Sequence, residues 1–393
     1  MITIGSINTR TTADKAYLEC EISIDGKSDI IWFYTDAKYA PYLCHERSDA
    51  YVIAVLNYAM CNKHDISCKI PITEELYYNI DKYLVDALCK SNPHFYRPKI
   101  EAPIASQALP CAGAVGTGIS CGVDSLHAIQ NQTNSDFSGH NVTHLMYNNV
   151  GSHGEGEYAQ QLYHSLLERP RAYAREYGFE FVATNSNLMD VVQQNHFYTH
   201  TYSSLFAVYC LQKLFSIYYY ASSGYRYGDF TLEYCPHRGC GSYDIFSLPM
   251  LSHRTLRFYS EGAGMTRMEK LKKVADFPPA HKYLQVCAQS KNNCGKCEKC
   301  VRTLLGLDAI GKLELFSNVF DVVHYRKNRQ QYLRKLYIKK VFKSKEYAEI
   351  YLYLKKDLSL ASKLICIPKI LFKKLLPYKL QLWILKRAGR IKD

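Results

Sequence analysis

Strands and helices alternate along the chain from about residue 112, and this rhythm limits the folds that the chain can adopt. "GAVGTGI", "VTHLMYNN", "FEFVAT", "IYYYASSG" and "TLRFYSEG" are predicted as strands. Helical segments separate them, among them "EYAQQLYHSLLERPRAYAREYG" and "SSLFAVYCLQKLF". Such alternation predicts an α/β fold, a doubly wound parallel sheet covered by helices, with ligands bound at the carboxyl ends of the strands.

The first of these strands ends in "SCGVDS", residues 120–125, and a helical segment follows at once. The first amides of a helix have no internal partners and its dipole adds partial positive charge, so such a turn can bind an anion. Ser120 and Ser125 can donate to phosphate oxygens, and Gly122 lets the backbone come close. Asp124 would repel bare phosphate, which points to a bridging Mg²⁺. An ordinary strand-to-helix turn rich in small and N-capping residues explains the same residues equally well.

The hexapeptide "SCGVDS" resembles the Ser-Gly-Gly-x-Asp-Ser signature of the PP-loop ATP pyrophosphatases. These enzymes cleave ATP to AMP and pyrophosphate while they adenylate a substrate, and their signature follows the first strand of a doubly wound sheet. The resemblance implies that Ser120, Asp124 and Ser125 act in catalysis. It also implies that the pyrophosphate portion of ATP is surrounded by the whole turn, which consists of Ser120, Cys121, Gly122, Val123, Asp124 and Ser125.

Cys121 stands where the family usually has glycine. A Cβ restricts the loop if the usual glycine has a positive φ. The thiol is either a small group packed aside or a reactive one, since a helix N-terminus lowers the pKa of a cysteine. A reactive Cys121 would open a second chemistry, the sulfur transfer to RNA that other PP-loop families carry out through a persulfide.

Four cysteines near the end of the alternating region have the spacing of a metal site. "CAQSKNNCGKCEKCVR" contains a C-x6-C-x2-C-x2-C array formed by Cys287, Cys294, Cys297 and Cys300. Four thiolates within fourteen residues suit tetrahedral Zn²⁺. A site with four protein ligands has no open position for water, so a structural site is predicted. An iron–sulfur cluster also accepts four cysteines.

The combination of the two motifs narrows the resemblance. A PP-loop signature followed by a four-cysteine knuckle and an arginine, here Arg302, is similar to the 7-cyano-7-deazaguanine synthases. These use ATP and ammonia to convert a carboxylate into a nitrile through an adenylate and an amide. The resemblance covers about residues 112–312. It implies an ATP-dependent carbon–nitrogen ligase with ATP, Mg²⁺ and Zn²⁺ as cofactors and with a small carboxylate and ammonia or an amine as substrates.

Weaker candidates lie between the two motifs. Arg267 and Lys270, at the start of the helix in "TRMEK", are candidates for holding ATP phosphates, although charges on a helix are more commonly solvated. His153 and Glu155 follow the second strand, where the family lines its adenosine pocket, and a polar loop that caps the next helix explains them equally well.

The chain has fifteen cysteines and an N-terminus without the pattern of a secretory signal, so a reducing, cytoplasmic location is predicted. Most of the scattered cysteines are then small buried apolar residues. "CPHRGC" offers Cys235, His237 and Cys240 for a second metal site, but an evident fourth ligand is missing and a mobile substrate loop is the preferred interpretation.

The positive net charge belongs to the C-terminal part of the chain. Residues 324–393 hold 20 of the 49 Lys and Arg residues and 4 of the 36 Asp and Glu residues, and the rest of the chain has a net charge of −3. Lysines interleave there with large apolar residues, which predicts basic amphipathic helices on an anionic membrane surface, at the inner face of the membrane. Nucleic acid is the less favoured partner, and a solvated helical hairpin is the alternative without a partner.

The composition and the order of the predicted strands and helices divide the chain into three predicted segments. These are an α+β unit over residues 1–110, a PP-loop-like domain with the four-cysteine site over 111–323, and a basic helical tail over 324–393. The proline-containing stretch 90–106 is the predicted linker. Three functions stay open: a ligase that adenylates a carboxylate, a PP-loop sulfur transferase that acts on RNA, and a non-catalytic nucleotide-binding or scaffold protein.

Overall fold

A computed structural model describes residues 1–236, 238–287 and 290–375. The chain divides into two compact units, Met1–Thr266 (unit 1) and Arg267–Asp393 (unit 2). Unit 1 combines a large sheet with helices, whereas the described part of unit 2 consists of helices and the loops between them.

The strands of unit 1 form one ten-stranded sheet and one small pair. Their bounds are β1 Ile2–Thr11, β2 Lys15–Ile24, β3 Lys27–Asp36, β4 Ile66–Cys68, β5 Ile72–Thr73, β6 Ile100–Glu101, β7 Ile104–Ala105, β8 Ala114–Gly118, β9 His144–Asn149, β10 Glu180–Ser186, β11 Phe215–Ala221 and β12 Arg257–Glu261. The order in the large sheet is β12-β11-β8-β9-β10-β3-β2-β1-β4-β6, and β5 pairs with β7. Six of the nine pairings in the large sheet are parallel, so the predicted α/β class is confirmed.

Helices fill the connections between these strands. Their bounds in unit 1 are α1 Asp49–Asn62, α2 Glu74–Asn79, α3 Val85–Ser91, α4 Val123–Asn131, α5 Gly156–Leu166, α6 Glu168–Tyr177, α7 Leu188–Val192, α8 His196–Cys210 and α9 Asp244–Met250, with a π-helical turn at Ile80–Leu84. Short 3₁₀ turns lie at Ala37–Tyr42, Ser138–His140, Tyr227–Asp229 and Cys240–Tyr243. The predicted proline-interrupted helix is two helices, and Pro170 lies in the first turn of α6, where a missing N–H costs nothing.

The five parallel strands β8–β12 create the edge at which a ligand can bind. The chain starts at β8, adds β9 and β10 on one side, and then crosses to the other side for β11 and β12. The connections that leave β8 and β11 therefore run in opposite directions, and the carboxyl ends of these two strands are the place where such a sheet is expected to bind a ligand. Gly116 allows the strands to pack closely, because a Cβ there would lie 2.6 Å from the Phe215 ring.

The first predicted segment, residues 1–110, is not a separate domain in the structure. Strands β1–β3 form an antiparallel meander, and β3 continues the large sheet by pairing with β10. One face of the meander, with Leu18, Ile31 and Phe33, is buried in the same core as Phe206 of α8. An amphipathic meander needs a partner for its apolar face, and β10 would otherwise present an unpaired edge. The predicted linker 90–106 contains β6 and β7 and belongs to the same unit.

Unit 2 contains the cysteine cluster together with most of the predicted tail. Its helices are α10 Arg267–Ala275, α11 Pro278–Tyr283, α12 Glu298–Ala309, α13 Val322–Lys327, α14 Arg329–Val341, α15 Lys345–Leu354 and α16 Leu360–Leu375, with a 3₁₀ turn at Leu313–Phe316. The predicted boundary at residue 323 thus falls inside α13, in the middle of a compact unit. Residues 376–393 of the predicted tail lie outside the described residues. Within the described chain, none of the helices has the length and apolarity needed to cross a membrane.

Candidate functional site

The predicted phosphate-binding turn lies at the carboxyl end of β8, next to the point where the strand order reverses. Gly122 is the N-cap of α4, whose first residue is the buried Val123. The hydroxyl oxygens of Ser120 and Ser125 are 3.2 Å apart. The amide of Gly122 donates to Ser120 Oγ at 3.3 Å, and the Ser125 hydroxyl donates to the Gly122 carbonyl at 3.1 Å. Two hydroxyl groups are thereby gathered at the start of a nine-residue helix.

The remaining residues of the turn have contrasting environments. Asp124 is half-buried in the first turn of α4, and a carboxylate there is favoured by the helix dipole. Ser120 is exposed, whereas Ser125 is buried. The turn therefore presents one accessible hydroxyl and one carboxyl group beside the first amides of the helix.

Cys121 is a buried residue in a left-handed backbone conformation. Its φ is +57°, in the left-handed region where only glycine is free of strain. Its side chain is fully buried, and this burial raises the pKa of the Cys121 thiol to about 12, although Arg169 acts in the opposite direction. A neutral buried thiol is a poor nucleophile. The packed interpretation of Cys121 therefore agrees with the structure, and the reactive one does not.

We expect Cys121 to resist alkylation in the folded protein. Brief treatment with iodoacetamide followed by peptide mass spectrometry should modify the exposed Cys235 and leave Cys121 unmodified until denaturant is added. Early modification of Cys121 at neutral pH would contradict its burial and revive the reactive interpretation.

A small, partly open polar cavity lies at the carboxyl ends of β9 and β10. Its lining includes Asn149, Gln160, Ser186 and Asp190, together with the glycines of the loop 151–156. Gly151 has a φ of +124°, and a Cβ there would lie 2.9 Å from His196 Nδ1. The loop therefore depends on glycine both for its backbone conformation and for its close approach to α8.

A chain of side-chain amides connects two residues of this lining, Asn149 and Gln160. Asn149 Nδ2 donates to Asn185 Oδ1 at 2.8 Å, and Asn185 Nδ2 donates to Gln160 Oε1 at 2.6 Å and to the Tyr34 hydroxyl at 2.7 Å. These residues were not among the candidates predicted from the sequence. The sequence feature that could have identified them is the run of polar side chains at the ends of two predicted strands, "MYNN" and "FVATNS".

His153 and Glu155, the two candidates in the loop that follows β9, differ in their exposure to solvent. His153 is half-buried, and its ring nitrogens lie 2.9 Å from the Tyr147 hydroxyl and 3.2 Å from Asn149 Oδ1. Burial, and then the neighbouring His196, lower the pKa of His153 to about 4. His153 is therefore neutral at pH 7 and positions the loop. Glu155 is exposed, and it lines the cavity as the N-cap residue of α5.

The ligands proposed for a second metal site do not converge in the described residues. Cys235 is exposed, whereas Cys240 is buried and accepts a hydrogen bond from the Thr201 hydroxyl at 3.5 Å. His237 lies outside the described residues. In the parts of the chain that the structure describes, the four clustered cysteines are the one group with the geometry of a metal site.

Arg267 and Lys270 belong to unit 2, whereas the phosphate-binding turn belongs to unit 1. Arg267 begins α10 and is half-buried. Lys270 is only 1% exposed, so it is not one of the ordinary solvated helix charges. Their role toward ATP stays a prediction.

The four predicted ligands Cys287, Cys294, Cys297 and Cys300 come together in unit 2. Their sulfur atoms all lie within 4.8 Å of one another. The Cys294–Cys300 and Cys287–Cys297 sulfur pairs are both 3.9 Å apart, which is too long for a disulfide. A tetrahedral zinc ion with bonds of about 2.3 Å to sulfur separates its ligands by about 3.8 Å. The group can therefore hold a metal ion such as zinc.

The local sequence explains this convergence. Gly295 has a φ of +67°, which lets the chain turn so that the amides of Lys296 and Cys297 donate to the Cys294 sulfur at 3.4 and 3.3 Å. Cys297 is the N-cap of α12, and Cys300 lies in the first turn of this helix. The positive end of the helix dipole therefore favours the thiolate forms that bind a metal.

The fourth ligand is more distant in sequence, and the half-buried Asn293 aligns it. Asn293 Oδ1 accepts hydrogen bonds from the amides of Val286 and Cys287 at 2.8 and 3.2 Å. Asn293 Nδ2 donates to the carbonyls of Leu284 and Val319 at 2.8 and 3.1 Å. One amide side chain thus joins the segment that carries Cys287 to the turn that carries the other three ligands.

Helices of the predicted tail pack directly on this cluster. The Tyr332 hydroxyl of α14 donates to the Gly295 carbonyl at 2.9 Å, and the Tyr347 hydroxyl of α15 donates to the Glu298 carbonyl at 3.3 Å. Arg302 of α12 is mostly buried and forms an ion pair with Glu346 of α15. The start of the tail is therefore part of the structure that surrounds the cysteines, which the sequence analysis did not predict.

Comparisons with models of known families, with curated proteins and with solved structures find no match for this chain.

Proposed function

We propose that the chain is an ATP-dependent carbon–nitrogen ligase of the PP-loop type, similar to the 7-cyano-7-deazaguanine synthases. The observation that carries this proposal is the position of the SCGVDS turn at the carboxyl end of β8, where the order of the parallel strands reverses. This position is the expected ligand site of a doubly wound sheet. The resemblance of the turn to the PP-loop signature then indicates ATP as the ligand.

The chain's own residues have defined tasks in this proposal. The amides at the start of α4 and the Ser120 hydroxyl would bind the phosphate oxygens that become pyrophosphate. Asp124 would hold Mg²⁺, which neutralises charge on these phosphates. The cavity with Asn149 and Gln160 offers amide donors and acceptors for the nucleoside or the acceptor. Positioning of the reacting groups and stabilisation of the charge on the phosphates would supply much of the rate.

The reaction proceeds in two steps. An oxygen of the acceptor carboxylate attacks the α-phosphorus of ATP, the bond from this phosphorus to the bridging oxygen breaks, and pyrophosphate leaves. Ammonia or an amine then attacks the acyl carbon, the bond to AMP breaks, and the nitrogen loses a proton. The first step makes a poor electrophile reactive, so that the second needs little more than correct orientation.

We further propose that the four cysteines bind one structural Zn²⁺. Four thiolate ligands leave no open position for water, so this ion would support unit 2 and take no part in the ligase chemistry. Burial, and then the neighbouring Cys297 thiol, raise the pKa of Cys300. A divalent cation offsets this cost and holds the thiolates together.

The first test of the ligase proposal is nucleotide binding. An ATP analogue with a methylene group between the α- and β-phosphorus, added with Mg²⁺, should raise the melting temperature of the protein. At a concentration of about 100 times the dissociation constant, the expected stabilisation is about 2.7 kcal/mol. A melting temperature unchanged by saturating ATP and by this analogue would contradict the proposal.

The second test concerns the acyl adenylate. Small carboxylates are screened for the ability to promote exchange of labelled pyrophosphate into ATP, with hydroxylamine added in a parallel reaction to trap the adenylate as a hydroxamate. We expect exchange and AMP release with an acceptor carboxylate and none without it. ATP binding without AMP formation across the screen would favour the scaffold interpretation.

Sulfur transfer to RNA is the less supported function. Its persulfide would have to form on Cys121, the cysteine of the turn, and this thiol is buried and neutral. Cys121→Ala should therefore leave carboxylate-dependent AMP formation intact. A Cys121→Ala protein that binds ATP but has lost AMP formation would support the sulfur-transfer alternative.

A further inference from the structure

Helix α16 is attached to unit 2 through its small and polar side. The Ser362 hydroxyl donates to Gln330 Oε1 at 2.9 Å, and the Cys366 thiol lies 3.7 Å from the Arg334 carbonyl of α14. Ser362 and Cys366 are its two buried residues. An amphipathic helix on a globular protein normally buries its apolar side, so this attachment is inverted.

The apolar side of α16 faces solvent. Residues spaced by three and four positions share one face of a helix, and this face carries a row of large apolar side chains (the outer stripe) formed by Leu360, Leu364, Ile367, Leu371 and Leu375. Each of them is between 43% and 74% exposed. The stripe extends for about 22 Å along the helix. Exposed apolar surfaces that are contiguous in this way mark sites of interaction.

The charges around the outer stripe indicate what occupies it. Helix α16 has four lysines and no acidic residue, and the exposed Lys355 and Lys356 precede it. By helical spacing, Lys363 and Lys374 border the stripe on one side. The whole region 324–393 carries 20 basic and 4 acidic residues. The partner must therefore combine an apolar interior with a dense negative surface.

We propose that α16 binds the surface of an anionic lipid bilayer, with its axis in the plane of the interface and its outer stripe among the acyl chains. An anionic bilayer offers both properties at once, and lysines near its surface contribute about 1 kcal/mol each. The sixteen described residues of α16 include four lysines, whereas a segment that crosses the hydrocarbon core needs about 20 predominantly apolar residues, so we place the helix on the membrane surface. This proposal is independent of the ligase chemistry of unit 1.

The test uses the full chain and sedimentation with vesicles. Binding is measured to vesicles of phosphatidylcholine alone and to vesicles with a large fraction of phosphatidylglycerol, at low and high salt. We expect binding to the anionic vesicles, weakened by salt, and at least about ten-fold weaker binding by the Leu364→Gln/Leu371→Gln protein. The matched control is Leu315→Gln/Leu352→Gln, two leucines of unit 2 outside α16 that are also exposed, and it should bind like the parent protein.

Three outcomes would overturn this proposal. The first is equal vesicle binding by the outer-stripe variant and the parent, with equal melting temperatures as proof that both are folded. The second is binding to single-stranded RNA without binding to anionic vesicles, which would assign the positive charge to a nucleic acid. The third is a parent dimer that the Leu364→Gln/Leu371→Gln exchange converts to a monomer in analytical ultracentrifugation, because the outer stripe would then be an interface between two copies.

Discussion

Cys297→Ser should remove the metal from the cysteine cluster and destabilise unit 2 by more than about 3 kcal/mol. The expected loss comes from the missing metal ligand, because serine is itself a favoured N-cap residue and preserves the start of α12. Without the metal, the three sulfur groups that remain in this variant have no ion to hold them together. The hydrogen bonds from Tyr332 and Tyr347 to this segment would lose their defined acceptors.

Elemental analysis and thermal unfolding together check this result. The parent protein should contain about one zinc ion per chain, as predicted for a four-cysteine site. Cys366→Ser is the matched control, because Cys366 is a buried cysteine of the same unit outside the cluster. It should keep the zinc and unfold near the parent temperature. A Cys297→Ser protein that unfolds at the same temperature as the control would contradict a structural metal. Iron in the elemental analysis together with visible absorption would show that the site holds an iron–sulfur cluster and not zinc.

Asp124→Asn should reduce carboxylate-dependent AMP formation at least about 100-fold while the protein stays folded. The exchange removes one negative charge and keeps the size of the side chain, so the first turn of α4 is preserved. The predicted Mg²⁺ would lose its charged ligand, and the phosphates would keep their mutual repulsion in the transition state. Binding of ATP without Mg²⁺ should change much less than catalysis.

The control for this experiment is Asp136→Asn, an equal exchange at an exposed position of unit 1. It should retain the parent rate of pyrophosphate release, and all three proteins should have similar circular dichroism. Equal rates for Asp124→Asn and the parent would remove Asp124 from the site. An unfolded Asp124→Asn protein would show that this carboxyl group serves the fold instead.

Local patterns determined most of what could be predicted. The alternation of strands and helices placed the SCGVDS turn between a strand and a helix, and the structure has β8 ending at Gly118 and α4 beginning at Val123. The spacing of Cys294, Cys297 and Cys300 suffices to bring three sulfurs together, because one tight turn and one helical turn connect them. Both inferences depend on geometry within a few residues.

The observed domain organisation differs from the predicted one because of contacts between residues that are distant in the sequence. Strand β3 pairs with β10 about 150 residues later in the chain, so the N-terminal segment extends the sheet and forms no unit of its own. The sequence of the meander shows an apolar face, but it cannot show which edge strand is free to receive it. The predicted tail likewise became part of unit 2 through contacts of Tyr332 and Tyr347 with a distant turn.

The sequence by itself determined the α/β rhythm, the six-residue turn at a strand end and the cysteine spacing, because each follows from chain geometry over short distances. The tertiary structure decided that the Cys121 thiol is buried and neutral, since desolvation comes from residues elsewhere in the chain. It also decided which side of α16 faces solvent. A helical wheel shows two faces, and only the contact with α14 selects the small and polar face for burial and leaves the outer stripe exposed.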